Sequence, residues 1–155
     1  MVTKAQQQAF LDKIIPLAQA DMQKTKVLAS LTIAQAILES AWGLSGLTIK
    51  SNNLFGIKGK GVESKTFEYI DGKRIDITDN FKAYPDWSTS ISDHSGLFLR
   101  LARYKNLIGE IDYKKACKNV QVDGYATAPT YADSLIKLIE QYQLYRQSYE
   151  PQRYL

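Results

Sequence analysis

Two glutamates in different kinds of segment are the candidates for acid–base chemistry. Glu39 lies beside the apolar stripe of a predicted helix, one turn after Gln35. A negative charge in the last turn of a helix opposes the helix dipole, so stability alone gives little reason for it. If apolar neighbours exclude water, the pKa of Glu39 should rise, as a general acid near neutral pH requires. The neighbours in question are Leu38, Trp42 and Phe55. A solvated glutamate on a charged helix face is the alternative.

The second carboxylate, Glu68, lies in a predicted strand. It alternates with Thr66 and Ile70 on one face and lies opposite Ile75 across a turn. Such a face either borders a cleft or is loosely packed and wet, and the spacing leaves both possibilities open. Glu63 is a weaker candidate, because we expect it in a glycine-rich loop, where a base is poorly positioned.

An aromatic loop is the third feature that could bind a ligand. In the segment Asp123–Tyr131, Gly124 and Pro129 favour a loop that presents Tyr125 and Tyr131 just before a helix. Binding groups are common on loops that rigid elements hold in place.

Other kinds of chemistry lack the residues they need. Cys117 is the only cysteine and His94 the only histidine, so we expect no disulfide, no metal site and no cofactor. Neither a phosphate-binding glycine loop nor a nucleophile elbow is present. We therefore expect His94 to be a structural residue.

Two predicted helices at the start of the chain should position Glu39. Thr3 and Gln6 have capping-box spacing at the start of a helix from Thr3 to Lys26, which we expect to be bent or broken at Pro16. A core-facing helix, Leu28–Trp42, should follow and end at Gly43. Its apolar stripe is Ala34, Ile37, Leu38 and Ala41.

Glycines break the chain between residues 45 and 84, where helical periodicity disappears. Asp71 and Gly72 predict a tight turn between strands Lys65–Ile70 and Lys73–Thr78. Helices should resume over Ser88–Tyr104, Tyr113–Val120 and Tyr131–Tyr145, the last capped by Thr130 and Asp133. The predicted fold class is α+β, mainly α, in which one small β-hairpin interrupts a helical protein.

Length and composition fit one domain, over residues 1–148, with residues 149–155 as a tail or the start of a linker. The chain has 155 residues, of which 45% are hydrophobic and 23% charged. Its net charge of +4 favours anionic partners. Because the basic residues are scattered, we do not expect a nucleic-acid partner. No apolar run approaches the ~20 residues of a membrane span, so we expect no membrane insertion.

Four motifs in order resemble the glucosaminidase family of bacterial and phage wall hydrolases, glycoside hydrolase family seventy-three, which is related in fold to goose-type lysozymes. The motifs are Thr32–Gly43, Ser51–Lys58, Phe81–Trp87 with Asp93 and His94, and Gly124–Ala132. The resemblance runs from Phe10 to Tyr145 and implies a lysozyme-like fold, in which a helical lobe and a small β-hairpin lobe at about residues 57–80 flank a cleft. It also implies that the partner is the glycan strand of peptidoglycan.

The resemblance assigns roles to individual residues. Glu39 corresponds to the family's general acid, Glu68 to its second acidic residue, and Tyr125 to an aromatic residue near the cleft floor. The predicted glycan contacts are Gln35, Trp42, Asn53, Phe55 and Tyr131. Many members of the family have Asp after Tyr-Ala-Thr, where this chain has Ala128, so a polar contact made there is missing.

The implied reaction is that of an endo-β-N-acetylglucosaminidase, which hydrolyses the β-1,4 bond after N-acetylglucosamine, and we expect a monomer acting on the cell wall. Either Glu68 activates water in an inverting reaction, or the substrate's acetamido group attacks and Glu68 only shapes the site. The alternatives are a lytic transglycosylase, and a wall-binding or phage structural protein without activity. We expect a phage-delivered lysin, or a secreted protein whose leader is absent from this chain.

Overall fold

Helices form most of the structure, a computed structural model that describes residues 1–148. The predicted tail at residues 149–155 lies outside the described residues. The α-helices are α1 (Lys4–Thr25), α2 (Ala29–Ser40), α3 (Gly46–Ser51), α4 (Trp87–Arg100), α5 (Tyr113–Val122) and α6 (Tyr131–Gln141). Two 3₁₀ helices cover Ala102–Leu107 and Leu144–Ser148, and one hairpin consists of β1 (Gly61–Ile70) and β2 (Lys73–Lys82). The predicted fold class is confirmed.

Helix α1 begins as predicted but is not broken. The Thr3 side chain accepts from the Gln6 N–H while the Gln6 side chain accepts from the Thr3 N–H, which completes the capping box. The helix continues through Pro16, so of the two predicted effects the break is wrong, and the bend stays a prediction. Proline removes one backbone hydrogen bond, and the burial of Ile14 and Ala18 on either side holds the helix in place.

Helix α2 ends earlier than predicted, at a sharp corner. It stops at Ser40 because Ala41 (φ 49°), Trp42 (φ 59°) and Gly43 (φ 76°) are all left-handed. Two of these three residues carry side chains, for which positive φ is strained. The Gly43 N–H donates to the Ser40 hydroxyl at 2.8 Å and closes the corner. Leu38, predicted to face the core, is 41% exposed.

The hairpin confirms the predicted turn and extends further. Asp71 and Gly72 both have positive φ, as a two-residue turn of this type requires. Glu68 is paired with Ile75, as predicted, and each strand has ten residues. Glu63 therefore lies within β1, opposite Asn80, and its predicted place in a loop is wrong.

The remaining differences are one short helix and the ends of other helices. The short helix α3, whose start is capped by the Ser45 side chain, was not predicted. Helix α4 is shorter than predicted because the chain turns extended at Leu101 before the first 3₁₀ helix. Helix α6 likewise ends before Tyr142, and the Thr130 side chain makes no cap hydrogen bond.

The core lies almost entirely within the helical lobe. Helix α2 is central to it and contacts α1, α5, α6 and the second 3₁₀ helix. Ten of its twelve residues are buried. In the hairpin, Phe81 is buried at the base, whereas Phe67, Ile70 and Ile75 are exposed. The helical lobe thus has a packed interior, and the hairpin projects from it.

Cys117 is buried in this core as a free thiol. None of the helices described combines the length and hydrophobicity that a membrane crossing needs.

Candidate active site

A cleft of about 690 Å³ lies between the helical lobe and the hairpin. Its helical wall includes the end of α2, the loop after α3 and the loop before α6, and its other wall is β1. The lining side chains considered below are Glu39, Phe55, Lys58, Glu68, Tyr125 and Thr127. The two candidate carboxylates therefore open onto the same cleft.

Glu39 is accessible from the cleft and yet crowded by protein. It lies in the last turn of α2, and its side chain is exposed at the cleft surface. Gly56 is so near that a Cβ there would lie 3.9 Å from the Glu39 Oε2 atom. The protein packed around the carboxyl group displaces water from it and raises the pKa of Glu39 to about 7, even though one side of the group faces the cleft. The Tyr131 hydroxyl, which hydrogen-bonds with the carboxylate, acts in the opposite direction. A carboxyl group in this state can donate a proton near neutral pH.

A chain of buried hydrogen bonds supports Glu39 from behind. His94 Nε2 lies 2.8 Å from Gln35 Oε1, and Gln35 Nε2 donates to the Tyr131 hydroxyl at 3.0 Å. The carbonyl of Gln35 can only accept, so His94 carries its proton on Nε2. Each group thus donates to the next, and Tyr131 donates to Glu39. This fixed order positions the Tyr131 hydroxyl for the carboxyl group.

His94 is structural, as predicted. It is fully buried, and burial lowers its pKa to about 3, so the ring is neutral. Phe55 stacks on it with ring centroids 3.9 Å apart. Its Nδ1 atom has no hydrogen-bond partner among the described residues.

Tyr125 lies in the loop before α6 and lines the cleft. Its ring stacks on Tyr131 at 5.8 Å and packs edge-on against Phe98 at the same centroid distance. Burial raises the pKa of the Tyr125 hydroxyl well above its usual value, and the negative charge of Glu39 adds to this rise. The hydroxyl therefore stays protonated and can donate a hydrogen bond near Glu39.

Asn53 holds the cleft wall from inside. It is buried, and its Nδ2 donates to the carbonyl oxygens of Ile57 and Lys82, both at 2.9 Å. Its Oδ1 accepts from the N–H groups of Phe55 and Ile57. With its side chain bonded within the protein, Asn53 ties the loop after α3 to the base of the hairpin.

Trp42 faces away from the cleft. Its ring packs against Phe10 at 5.8 Å and Tyr142 at 4.9 Å, and it does not line the cleft. Of the predicted glycan contacts, the structure thus places only Phe55 on the cleft wall. Three of the others are buried, namely Gln35, Asn53 and Tyr131, and Trp42 is partly buried against the core.

Glu68 is paired with a cation that the sequence analysis missed. Lys58 contacts Glu68, and its Nζ lies 3.0 Å from Asp79 Oδ2. The side chains of Lys58 and Glu68 are 45% and 36% exposed. The one indication in the sequence that Lys58 belongs to the site was its place at the end of the motif Ser51–Lys58.

A bridge across the cleft was also missed. The Tyr69 N–H in β1 donates to the Thr127 hydroxyl at 3.1 Å, so the hairpin reaches the loop that carries Tyr125. Within residues 1–148, His, Cys, Asp and Glu side chains form no group of three that could hold a metal ion.

Comparison with known sequences agrees with this geometry. Residues 15–144 match the family Glucosaminidase, described as mannosyl-glycoprotein endo-beta-N-acetylglucosaminidase. The exo-glucosaminidase LytG of Bacillus subtilis (strain 168) is 44% identical over 148 residues, which cover 90% of this chain and 52% of LytG. The peptidoglycan hydrolase FlgJ of Escherichia coli (strain K12) is 34% identical over 143 residues, covering 86% of this chain and 46% of FlgJ. The chain spans about half the length of these two relatives.

The fold is also similar to solved structures. The catalytic domain of the autolysin Auto from Listeria monocytogenes superimposes with a TM-score of 0.80 at 36% sequence identity. The superposition covers 95% of this chain and 90% of that domain.

Proposed function

The chain belongs to the glucosaminidase family, and we propose that it hydrolyses the β-1,4 bond after N-acetylglucosamine in peptidoglycan. One observation carries the proposal: Glu39 opens onto a cleft while its surroundings raise its pKa to about 7. A carboxyl group with this pKa keeps its proton up to near neutral pH, as the acid in glycoside hydrolysis must.

Glu39 is the proton donor in this reaction. Its protonated carboxyl group lies on the helical wall and transfers the proton to the glycosidic oxygen as the bond to the anomeric carbon breaks. The Tyr131 hydroxyl then stabilises the carboxylate that remains, because it is already oriented by Gln35. The acid thus loses its proton next to a donor that is in place before the reaction starts.

The anomeric carbon is attacked by one of two routes, and Glu68, on the opposite wall, is the base in the first of them. As a general base it takes a proton from water, which adds to the anomeric carbon on the face opposite the leaving group. Otherwise the substrate's acetamido oxygen attacks the anomeric carbon as the leaving oxygen takes the proton of Glu39, and water then opens the cyclic intermediate. In this route the Tyr125 hydroxyl steadies the intermediate and Glu68 only shapes the site. In both routes Lys58 holds the Glu68 carboxylate at its place on β1.

The second carboxylate favours hydrolysis over transglycosylation. A lytic transglycosylase has the helix glutamate but needs no carboxylate on the facing wall, whereas here Glu68 lines the cleft with Glu39. A binding protein without activity needs neither the raised pKa of Glu39 nor the donor chain behind it. Hydrolysis therefore accounts for more of the site than either alternative.

The place of action that follows is the bacterial cell wall, whose anionic polymers suit a net charge of +4. Both walls of the cleft come from one chain, which supports a monomer as the active form.

Products from purified sacculi test the proposal. Mass spectrometry should find fragments with reducing N-acetylglucosamine ends, and the Glu39→Gln variant should release almost none. Products ending in 1,6-anhydromuramic acid would replace hydrolysis by transglycosylation. Fragments of many lengths at early times would indicate cleavage within the glycan chain, which corresponds to 'endo' in the description of the family. Disaccharides alone would indicate cleavage from chain ends, which corresponds to 'exo' in the name of LytG.

A further inference from the structure

The outer edge of strand β1 carries backbone groups that face the cleft. Ile70 and Lys73 flank a two-residue turn and so form a pair that exchanges both backbone hydrogen bonds. From there, pairing alternates along the strand. The even-numbered residues of β1 bond to β2, and the odd-numbered ones point their N–H and C=O groups away from it.

Contacts on both edges of the hairpin confirm this alternation. On the β1 edge, Tyr69 donates its N–H to Thr127 at 3.1 Å, and the Glu63 carbonyl accepts from Lys50 Nζ at 2.8 Å. On the β2 edge, the Asn80 carbonyl accepts from the Gly59 N–H, and the Lys82 N–H donates to the Ile57 carbonyl, both at 3.0 Å.

Lys65 and Phe67 lie between the two occupied ends of the β1 edge. Both residues line the cleft that holds Glu39. Their alternation points their N–H and C=O groups outward, and no hydrogen bond to another group within residues 1–148 uses them. Backbone groups at a strand edge are strong donors and acceptors that bind whatever complementary chain approaches.

We propose that this edge segment, the N–H and C=O groups of Lys65 and Phe67, binds the N-acetyl amides of the glycan. The inference rests on the proposed function. An outward N–H donates to an acetyl carbonyl, and an outward C=O accepts from an amide N–H, in the way that strand edges bind extended ligands.

The length of the edge segment favours acetamido groups over a stem peptide. A peptide that adds as a strand needs a run of free backbone positions, but Lys50 and Thr127 occupy the positions on either side. Two free residues suit single amides spaced along a sugar chain. A sugar held at this edge lies across the cleft from Glu39, so amide binding would also orient the bond that is cut.

Proline variants test the edge segment, because proline removes an outward N–H without breaking the hairpin ladder. In the inactive Glu39→Gln background, Lys65→Pro and Phe67→Pro should each weaken binding of a peptide-free glycan tetrasaccharide about 10-fold. The matched controls are Thr78→Pro and Asp76→Pro, which stand directly opposite on the far edge. Lys65→Ala and Phe67→Ala control for the lost side chains.

Amide proton shifts provide a second measurement that needs no proline. When ¹⁵N-labelled Glu39→Gln protein is saturated with the tetrasaccharide, the Lys65 or Phe67 amide proton should move downfield. The Asp76 and Thr78 amides should not. Cellohexaose, a neutral sugar without acetamido groups, should leave all four unchanged.

The outcomes are distinct. Tetrasaccharide binding with unmoved Lys65 and Phe67 amides, or equal losses in proline variants of both edges, would overturn the inference while the parent chain still digests sacculi. Shifts that appear only with peptide-bearing fragments would assign the edge to the stem peptide and also overturn it. A parent chain that releases no glycan fragments from sacculi would instead refute the proposed function.

Discussion

The two walls of the cleft hold their carboxyl groups by different means. On the helical wall, Glu39 stands on α2, of whose twelve residues ten are buried, and a chain of buried donors that starts at His94 ends at its carboxylate. On the hairpin wall, Glu68 is half exposed and is held by Lys58, which also contacts Asp79. Burial sets the protonation of the first carboxyl group, while pairing with a cation fixes the position of the second.

Because of this difference, substitutions in the two walls should affect stability and catalysis to different extents, although the two properties often change together. The helical wall belongs to the core, so substitutions there affect both stability and chemistry. The hairpin wall has little core of its own, so its polar contacts should affect chemistry while leaving stability nearly unchanged. The following experiments test that separation.

The largest effect is expected from Glu39→Gln. General acid catalysis is commonly worth about 10²–10⁴ in rate, so wall lysis should slow by at least roughly 100-fold. The fold should persist, because the change removes a negative charge from the last turn of a helix. Clearing of sacculi by the variant at near the parent rate would refute the assignment. Glu63→Gln, in the same hairpin as Glu68, is the control and should stay close to the parent.

Stability should depend on the lobe that is changed. Leu135→Ala removes a fully buried side chain of α6 and should cost about 2–5 kcal/mol. Ile75→Ala changes a side chain that is 41% exposed and should cost less than about 1 kcal/mol. Urea unfolding measures both. Equal losses would mean that the hairpin is packed as firmly as the core.

The pH profile should follow Glu39. Activity should fall about tenfold per pH unit above about 7, because the acid must be protonated. Stability should fall in the same direction. The ordinary carboxyl pKa is 4.5, so the folded chain binds more protons than the unfolded chain between there and about 7, and the free energy of unfolding decreases as pH rises through this window. Initial rates and urea unfolding across pH check both trends, and Glu39→Gln should lose this part of the stability change.

A smaller effect is expected from Lys58→Met. Without the cation, Glu68 loses its fixed position, and the rate should fall roughly 10-fold. The melting temperature should change little, since an exposed ion pair contributes about 0–1 kcal/mol. Lys60→Met removes an exposed lysine two residues further on and serves as the control. A large drop in melting temperature with an unchanged rate would show that the Lys58 contacts serve stability and not catalysis.

Local patterns predicted most of the fold. The capping box at Thr3 and the Asp71–Gly72 turn depend on neighbouring residues alone, so the sequence was sufficient for both. The end of α2 was missed because Ala41 and Trp42 adopt a backbone conformation that their own types disfavour, and tertiary packing imposes it. The break at Pro16 was overpredicted because packing on both sides compensates for one lost hydrogen bond.

The candidate site was predicted only in part, for a related reason. Residue type and resemblance indicated Glu39, Glu68, Tyr125 and Phe55, which the structure places on one cleft. They could not indicate that Gln35 and Asn53 are buried, because an amide can serve a ligand or a neighbouring backbone equally well. Lys58 was missed because its partners Glu68 and Asp79 come close only when the hairpin folds back.

The corner after α2 limits how this acid could be transplanted. Three consecutive left-handed residues turn the chain directly behind Glu39, and they persist because Trp42 is wedged between Phe10 and Tyr142 and Gly43 lies against Trp87. A designer who grafted the helix alone onto another scaffold would carry over the carboxyl group without these neighbours. The backbone of the corner would then relax to other φ values, and the grafted carboxyl group would no longer be held in its present orientation.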